Sequence, residues 1–167
     1  MRQTVESTEQ TVTGTEVERS SKLQQGSILM TLAGIAFVGY GVVFLVLNFL
    51  GSGFELGVST LGGLTPAELN PAVAYYISHL HVATAAFIIS TGIAVTALSW
   101  YGIQQRLKWA WATAIVAAVA SLALALPMHW TSGAFAHDWL VHLGPIYLAT
   151  VVFVVGAVLA YQGMAES

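Results

Sequence analysis

Cysteine is absent from the 167-residue chain, which removes structural disulfides, iron–sulfur clusters, thiolate zinc sites and cysteine nucleophiles. Any metal must therefore be held by His, Asp, Glu or Met. Charge is almost as scarce, because Asp, Glu, Lys and Arg make up 8% of the residues, where an average soluble domain has about 25%. Five Lys and Arg stand against eight Asp and Glu, a net charge of −3. The basic residues are too few and too scattered for a surface that tracks phosphates, so nucleic acid is not an expected partner. What is abundant is apolar: 56% of the residues are hydrophobic and the mean hydropathy is +0.75. This is the composition of a chain whose solvent is a lipid bilayer.

Residues 1–25 are rich in Thr, Ser, Glu and Gln and hold almost no large apolar side chain. Such a segment cannot bury enough surface to offset the entropy of ordering, and it reads as a disordered cytoplasmic tail. Four Glu precede the first apolar run and no small-residue cleavage pattern follows it, unlike a secretory signal. Four apolar runs then occupy about 27–50, 71–101, 109–128 and 140–161, none containing Lys, Arg, Asp or Glu. Each is long enough to cross about 30 Å of hydrocarbon at about 1.5 Å per residue. Backbone polar groups in lipid must be satisfied within their own segment, and the alternation of barrel strands is missing. The expected fold is all-α, an integral-membrane four-helix bundle over 26–163 with a short C-terminal tail, 164–167.

Arg19 and Lys22 precede the first span, and Arg106 and Lys108 sit between the second and third, whereas Gly51–Asn70 and His129–Trp139 contain no Lys or Arg. The bias of basic residues toward cytoplasmic loops predicts both termini inside, in a multi-pass protein of the cell membrane. Thr65-Pro66-Ala67-Glu68 has a capping-box pattern and predicts a short helix in the first outer loop; Asn70-Pro71 repeats the cap-plus-proline signal and opens the second span. Ala110, Ala114 and Ala118 share one face of the third span, and Ala117, Ser121 and Ala125 another. Small residues let helices approach closely in lipid, which predicts a central place for this span. Gly34 and Gly41, seven apart, predict a smooth contact face on the first.

Thr65-Pro66-Ala67-Glu68-Leu69, Pro71, Tyr76 and His81, followed by Arg106-Leu107-Lys108-Trp109-Ala110-Trp111, resemble a recurring type of four-span prokaryotic membrane protein. That type carries an acidic outer-loop helix and a basic turn running into Trp-Ala-Trp. This chain has Gln104-Gln105 where a basic pair is commoner. The resemblance covers the middle of the chain and implies a topology and no activity.

All five histidines fall toward the outer face. Trp100 to His81 is nineteen steps, Trp109 to His129 twenty and Tyr161 to His142 nineteen, each about 30 Å along a helix. Three histidines on three helices are thereby placed at one level, with Asn48 at about the same depth. Two readings follow. Imidazole suits the membrane interface as Trp and Tyr do; alternatively the three rings converge as ligands of a metal ion or haem. Rotation about each helix axis decides between them. His79 and His81 are about 200° apart on a helix and cannot face one point; His81 fits the common depth better. Asp138 lies four residues before His142, as a second ligand, as an orienting partner for the imidazole, or as the N-cap of the fourth span. Pro145, inside the fourth span, predicts a kink that frees a carbonyl near Val141.

A pump or channel needs ionisable groups along a path through the bilayer, and mid-membrane positions offer only Tyr40, Thr and Ser. Ser132 lies near His129 and Asp138, but no nucleophile-elbow pattern surrounds it, and no catalytic set is assigned. Two readings remain. One is a non-catalytic membrane subunit or packing protein, bound to a membrane-protein partner or to copies of itself. The other is a His-ligated metal or haem protein whose outer-face site uses His81, His129, His142 and Asp138.

Overall fold

The computed structural model describes residues 2–50, 64, 66–125, 127 and 144–165, and among these all regular structure is helical. There are four principal helices: α1 Arg2–Phe49, α2 Pro71–Ala97, α3 Lys108–Ala125 and α4 Gly144–Ala165. A π-turn, Leu98–Gly102, and a 3₁₀ turn, Ile103–Gln105, continue α2 toward α3. Among the described residues three stretches are long and apolar enough to cross a membrane, Glu16–Phe49, Pro71–Gln105 and Gly144–Ala165, and Lys108–Leu124 is a shorter apolar helix.

The sequence signals at the start of α2 are realised as read. The Asn70 side chain accepts a hydrogen bond from the Ala72 N–H at 2.9 Å, and Pro71 occupies the first helical position, where its missing N–H costs nothing. The expected short loop helix is a single 3₁₀ turn, Pro66–Glu68; Thr65, its expected cap, lies outside the described residues. Pro145 stands in the first turn of α4, a position that tolerates proline; Val141 lies outside the described residues.

Two expectations are corrected. The segment read as a disordered tail belongs to α1, which begins at Arg2, and Leu23 within it is 5% exposed. Leu23, Gly26, Ser27 and Met30 are spaced i, i+3, i+4 and i+7, one face of a helix, and all four are buried. That face begins ahead of the long apolar run and so falls on the polar side of any boundary drawn by composition. At the other terminus Met164, expected in a C-terminal tail, is 2% exposed within α4.

The second correction concerns the centre of the bundle. α1, not α3, is the middle helix, packed lengthwise between α2 and α4. A methyl group on Gly92 would stand 2.7 Å from the Gly34 carbonyl oxygen, and one on Gly156 would stand 2.9 Å from that of Gly26. Both seams thus run backbone against backbone, the contact that lets helices associate where burial from water gives no driving force. Gly34 does serve as a contact face, as does Gly41, which meets Ile89 and the Ala85 carbonyl on α2. The Ala110, Ala114 and Ala118 face of α3 is buried, but it packs near the π-turn, and Ser121 toward the far end is exposed.

Candidate functional site

The end of the bundle away from Arg106 and Lys108 holds the described part of the expected histidine site. His81, on α2, is half-buried, and its ring meets Phe44 of α1 edge-on with centroids 5.2 Å apart. One turn beyond Phe44, Asn48 is 8% exposed and donates from Nδ2 to Ser78 Oγ at 3.0 Å. Its Oδ1 is buried without a hydrogen-bond partner. Ser78 and His81 are three apart and share a face of α2. The α1–α2 seam therefore carries an amide, a hydroxyl and an imidazole at one end, as the depth count for Asn48 and His81 predicted. His79 is exposed.

His129, Asp138 and His142, the other expected ligands, lie outside the described residues, as do His137 and Ser132. Among the described residues no group of three or more His, Asp or Glu side chains is placed to hold a metal ion. The described seam supplies one imidazole, whereas a structural zinc site takes four ligands and haem takes imidazole on facing helices.

Two of the cavities beside α1 lie toward this end of the bundle. The larger, about 550 Å³, is lined by Gly39, Tyr40, Phe44 and Leu47 of α1 and by Pro145 and Leu148 of α4. A methyl group at Gly39 would meet nothing within 4 Å. The smaller, about 370 Å³, lies between α2 and α3 and is lined by Thr84, Phe87 and Thr91 on one wall and Ser121 and Leu124 on the other. Thr91 and Ser121 meet across it, hydroxyl to hydroxyl, at 3.4 Å. Both volumes fall within the range of small-molecule sites.

Two features at the basic end carried no sequence signal of their own. Trp111 fits a membrane-interface belt by position alone, yet its indole N–H donates to the Ala157 carbonyl on α4 at 3.0 Å and its ring lies 5.3 Å from that of Tyr161. It is a polar tie between α3 and α4. Arg106 takes a left-handed conformation, φ 61° and ψ 25°. The Leu107 N–H donates to the Gly102 carbonyl at 3.1 Å and the Arg106 N–H to that of Ile103 at 2.8 Å, the paired bonds of a Schellman motif. Glycine is the usual residue at that position, so arginine there could not be anticipated from composition. Comparison with models of protein families, with curated proteins and with solved structures returned no match to this chain.

Proposed function

We propose that the chain is an integral membrane protein crossing the bilayer four times, with both termini in the cytoplasm, and that it acts as a non-catalytic membrane subunit or packing protein. One observation carries the reading: small residues line the helix seams while large apolar ones face outward. Gly26, Gly34, Gly92, Ala110, Ala114, Gly156 and Ala160 are buried, whereas Phe87, Leu124 and Leu148 are 74%, 79% and 68% exposed. Water would drive that arrangement apart, and lipid accepts it. Lys22, Arg106 and Lys108 at one end support the proposed orientation.

Because native cysteine is absent, Gln104→Cys and Ser132→Cys can be labelled one at a time in intact cells with an impermeant thiol reagent. Only the second is expected to react. Labelling at 104 alone would invert the topology. The subunit reading is tested by cross-linking in the native membrane, where a defined adduct, to another membrane protein or to a second copy, is expected. A chain that stays uncross-linked and runs as a monomer in mild detergent counts against it.

The second reading, a His-ligated metal or haem site at the outer face through His81, His129, His142 and Asp138, draws support from Asn48 and His81 lying together at one end of the α1–α2 seam. Elemental and optical analysis of purified protein separates the two. A stoichiometric metal or a haem band supports the site, and Asp138→Asn then lowers affinity about 10- to 100-fold if the carboxylate binds or orients, but barely if it caps a helix.

A further inference from the structure

Hydroxyl side chains in these helices mostly bond back to a carbonyl one turn earlier, the local partner an apolar helix offers them. Thr31 donates to Ser27, Ser90 to Ala86, Thr96 to Gly92, Ser121 to Ala117 and Thr150 to Ile146, all at 2.7–3.0 Å. Ser99 and Thr84 depart from this pattern. Ser99 is fully buried and its Oγ has no hydrogen-bond partner. Thr84 stands on the wall of the 370 Å³ cavity and makes no hydrogen bond to another described residue.

That cavity draws on every principal helix. Thr84, Ile88 and Thr91 are spaced i, i+4 and i+7 on one face of α2; Ser121 of α3 lies across from them, and Phe37 of α1 and Ile146 of α4 complete the lining. Phe37 and Ala118 are buried and form the floor, whereas the strongly exposed Phe87 and Leu124 frame the mouth. Ser121 gives its one proton to the Ala117 carbonyl, so Thr91 is the donor in the Thr91–Ser121 contact, since a hydroxyl donates only once. Among the hydroxyls of this lining, the Thr84 proton is the uncommitted one.

We propose that the cavity binds a neutral, membrane-dissolved ketone or quinone whose carbonyl oxygen accepts a hydrogen bond from Thr84 Oγ. Three features select that class. The described lining holds no Asp, Glu, Lys, Arg or His, so a charged ligand would lose its hydration with nothing to pair it. The mouth opens between the flanks of α2 and α3, which face hydrocarbon when the bundle lies in a bilayer, so the ligand enters from the lipid phase. The free wall group is a donor, and a carbonyl accepts without bringing a proton that needs an acceptor in turn. This inference rests on the membrane reading and on neither the subunit nor the metal reading. Thiol labelling tests the membrane reading separately, so the two fail independently.

Radiolabelled menadione, a methylated naphthoquinone, tests the site in lipid nanodiscs carrying the full-length protein, with empty nanodiscs as the baseline for partition into lipid. The chain has no cysteine for it to alkylate. Saturable binding above the baseline is expected. Methylnaphthalene, the same ring system without its carbonyls, should compete about threefold to tenfold less well than unlabelled menadione, the worth of one neutral hydrogen bond. Thr84→Val keeps the shape of the wall and removes the donor, so it should erase that preference while leaving the hydrocarbon's binding unchanged. Ser121→Leu fills the cavity and should abolish binding of both. Absence of saturable binding, equal competition by methylnaphthalene in the parent, or a preference that survives Thr84→Val overturns the proposal, whether or not Ser121→Leu folds.

Discussion

At φ 61° the Cβ of Arg106 crowds its own backbone, a cost of about 1–2 kcal/mol that glycine does not bear. Part of that gain is lost to the greater freedom of glycine in the unfolded chain. Arg106→Gly is therefore expected to stabilise the protein by about 1 kcal/mol, and Arg106→Val, β-branched, to destabilise it. Thermal melting in detergent measures both. Ser99→Ala belongs to the same scale: a buried hydroxyl without a partner costs about 1–3 kcal/mol, so its removal should raise the melting temperature, whereas Thr96→Val, which breaks a 2.8 Å bond to Gly92, should not. Neither Ser99 nor Arg106 was legible in advance. Serine in an apolar run ordinarily bonds a carbonyl of its own helix, so an unpaired hydroxyl leaves no mark on the sequence pattern.

Along the helices, the two seams of α1 depend on what each glycine faces. Gly92→Ala and Gly156→Ala put a methyl group within 2.7–2.9 Å of backbone atoms on α1, and backbone cannot yield as a side-chain tip does. Each is expected to cost at least the 1–3 kcal/mol of ordinary overpacking, about the upper end of that range. Gly39→Ala is the control. It meets open space and should be neutral or stabilising by up to about 1 kcal/mol through helix propensity. Equal losses at all three positions would mean that helix chemistry, not seam contact, explains the glycines. Gly34 and Gly41 were readable as a contact face because glycine at helical spacing in lipid has few other uses. The partner across each seam was not readable, because the small residues of α3 gave an equally strong pattern and sequence does not give rotation.

Over the whole molecule, four helices, three of them long and apolar enough to cross a membrane, and the Asn70 cap followed from hydropathy and capping chemistry, while the N-terminal boundary did not, because Leu23 stands among polar neighbours. Removal of residues 1–18 should leave the melting temperature nearly unchanged, since Leu23, Gly26 and the basic Arg19 and Lys22 are kept. Removal of residues 1–26 takes away Leu23, against which Gly163 packs so closely that a methyl group there would stand 2.6–2.8 Å from it, and should lower it markedly. Equal melting of the two truncated chains would show that the contact contributes nothing. Of the expected histidine site only Asn48 and His81 fall on described residues, where they share a seam; convergence of the rest depends on helix rotations that no spacing encodes.

The contact of Gly26 with Gly156 and Ala160 joins the first helix to the last, across some 130 positions of chain. During synthesis α1 and α2 can pair as soon as both have left the ribosome, yet the second seam of α1 stays unpartnered until α4 arrives. A chain stopped after α3 therefore exposes a glycine-rich face of α1 that quality-control proteases and stray helices can reach. Two co-expressed fragments, 1–127 and 128–167, should accumulate together and co-purify, whereas the longer fragment alone should be degraded. That makes α4 a clasp rather than an appendage, since α1 is held on both flanks only once α4 has been made.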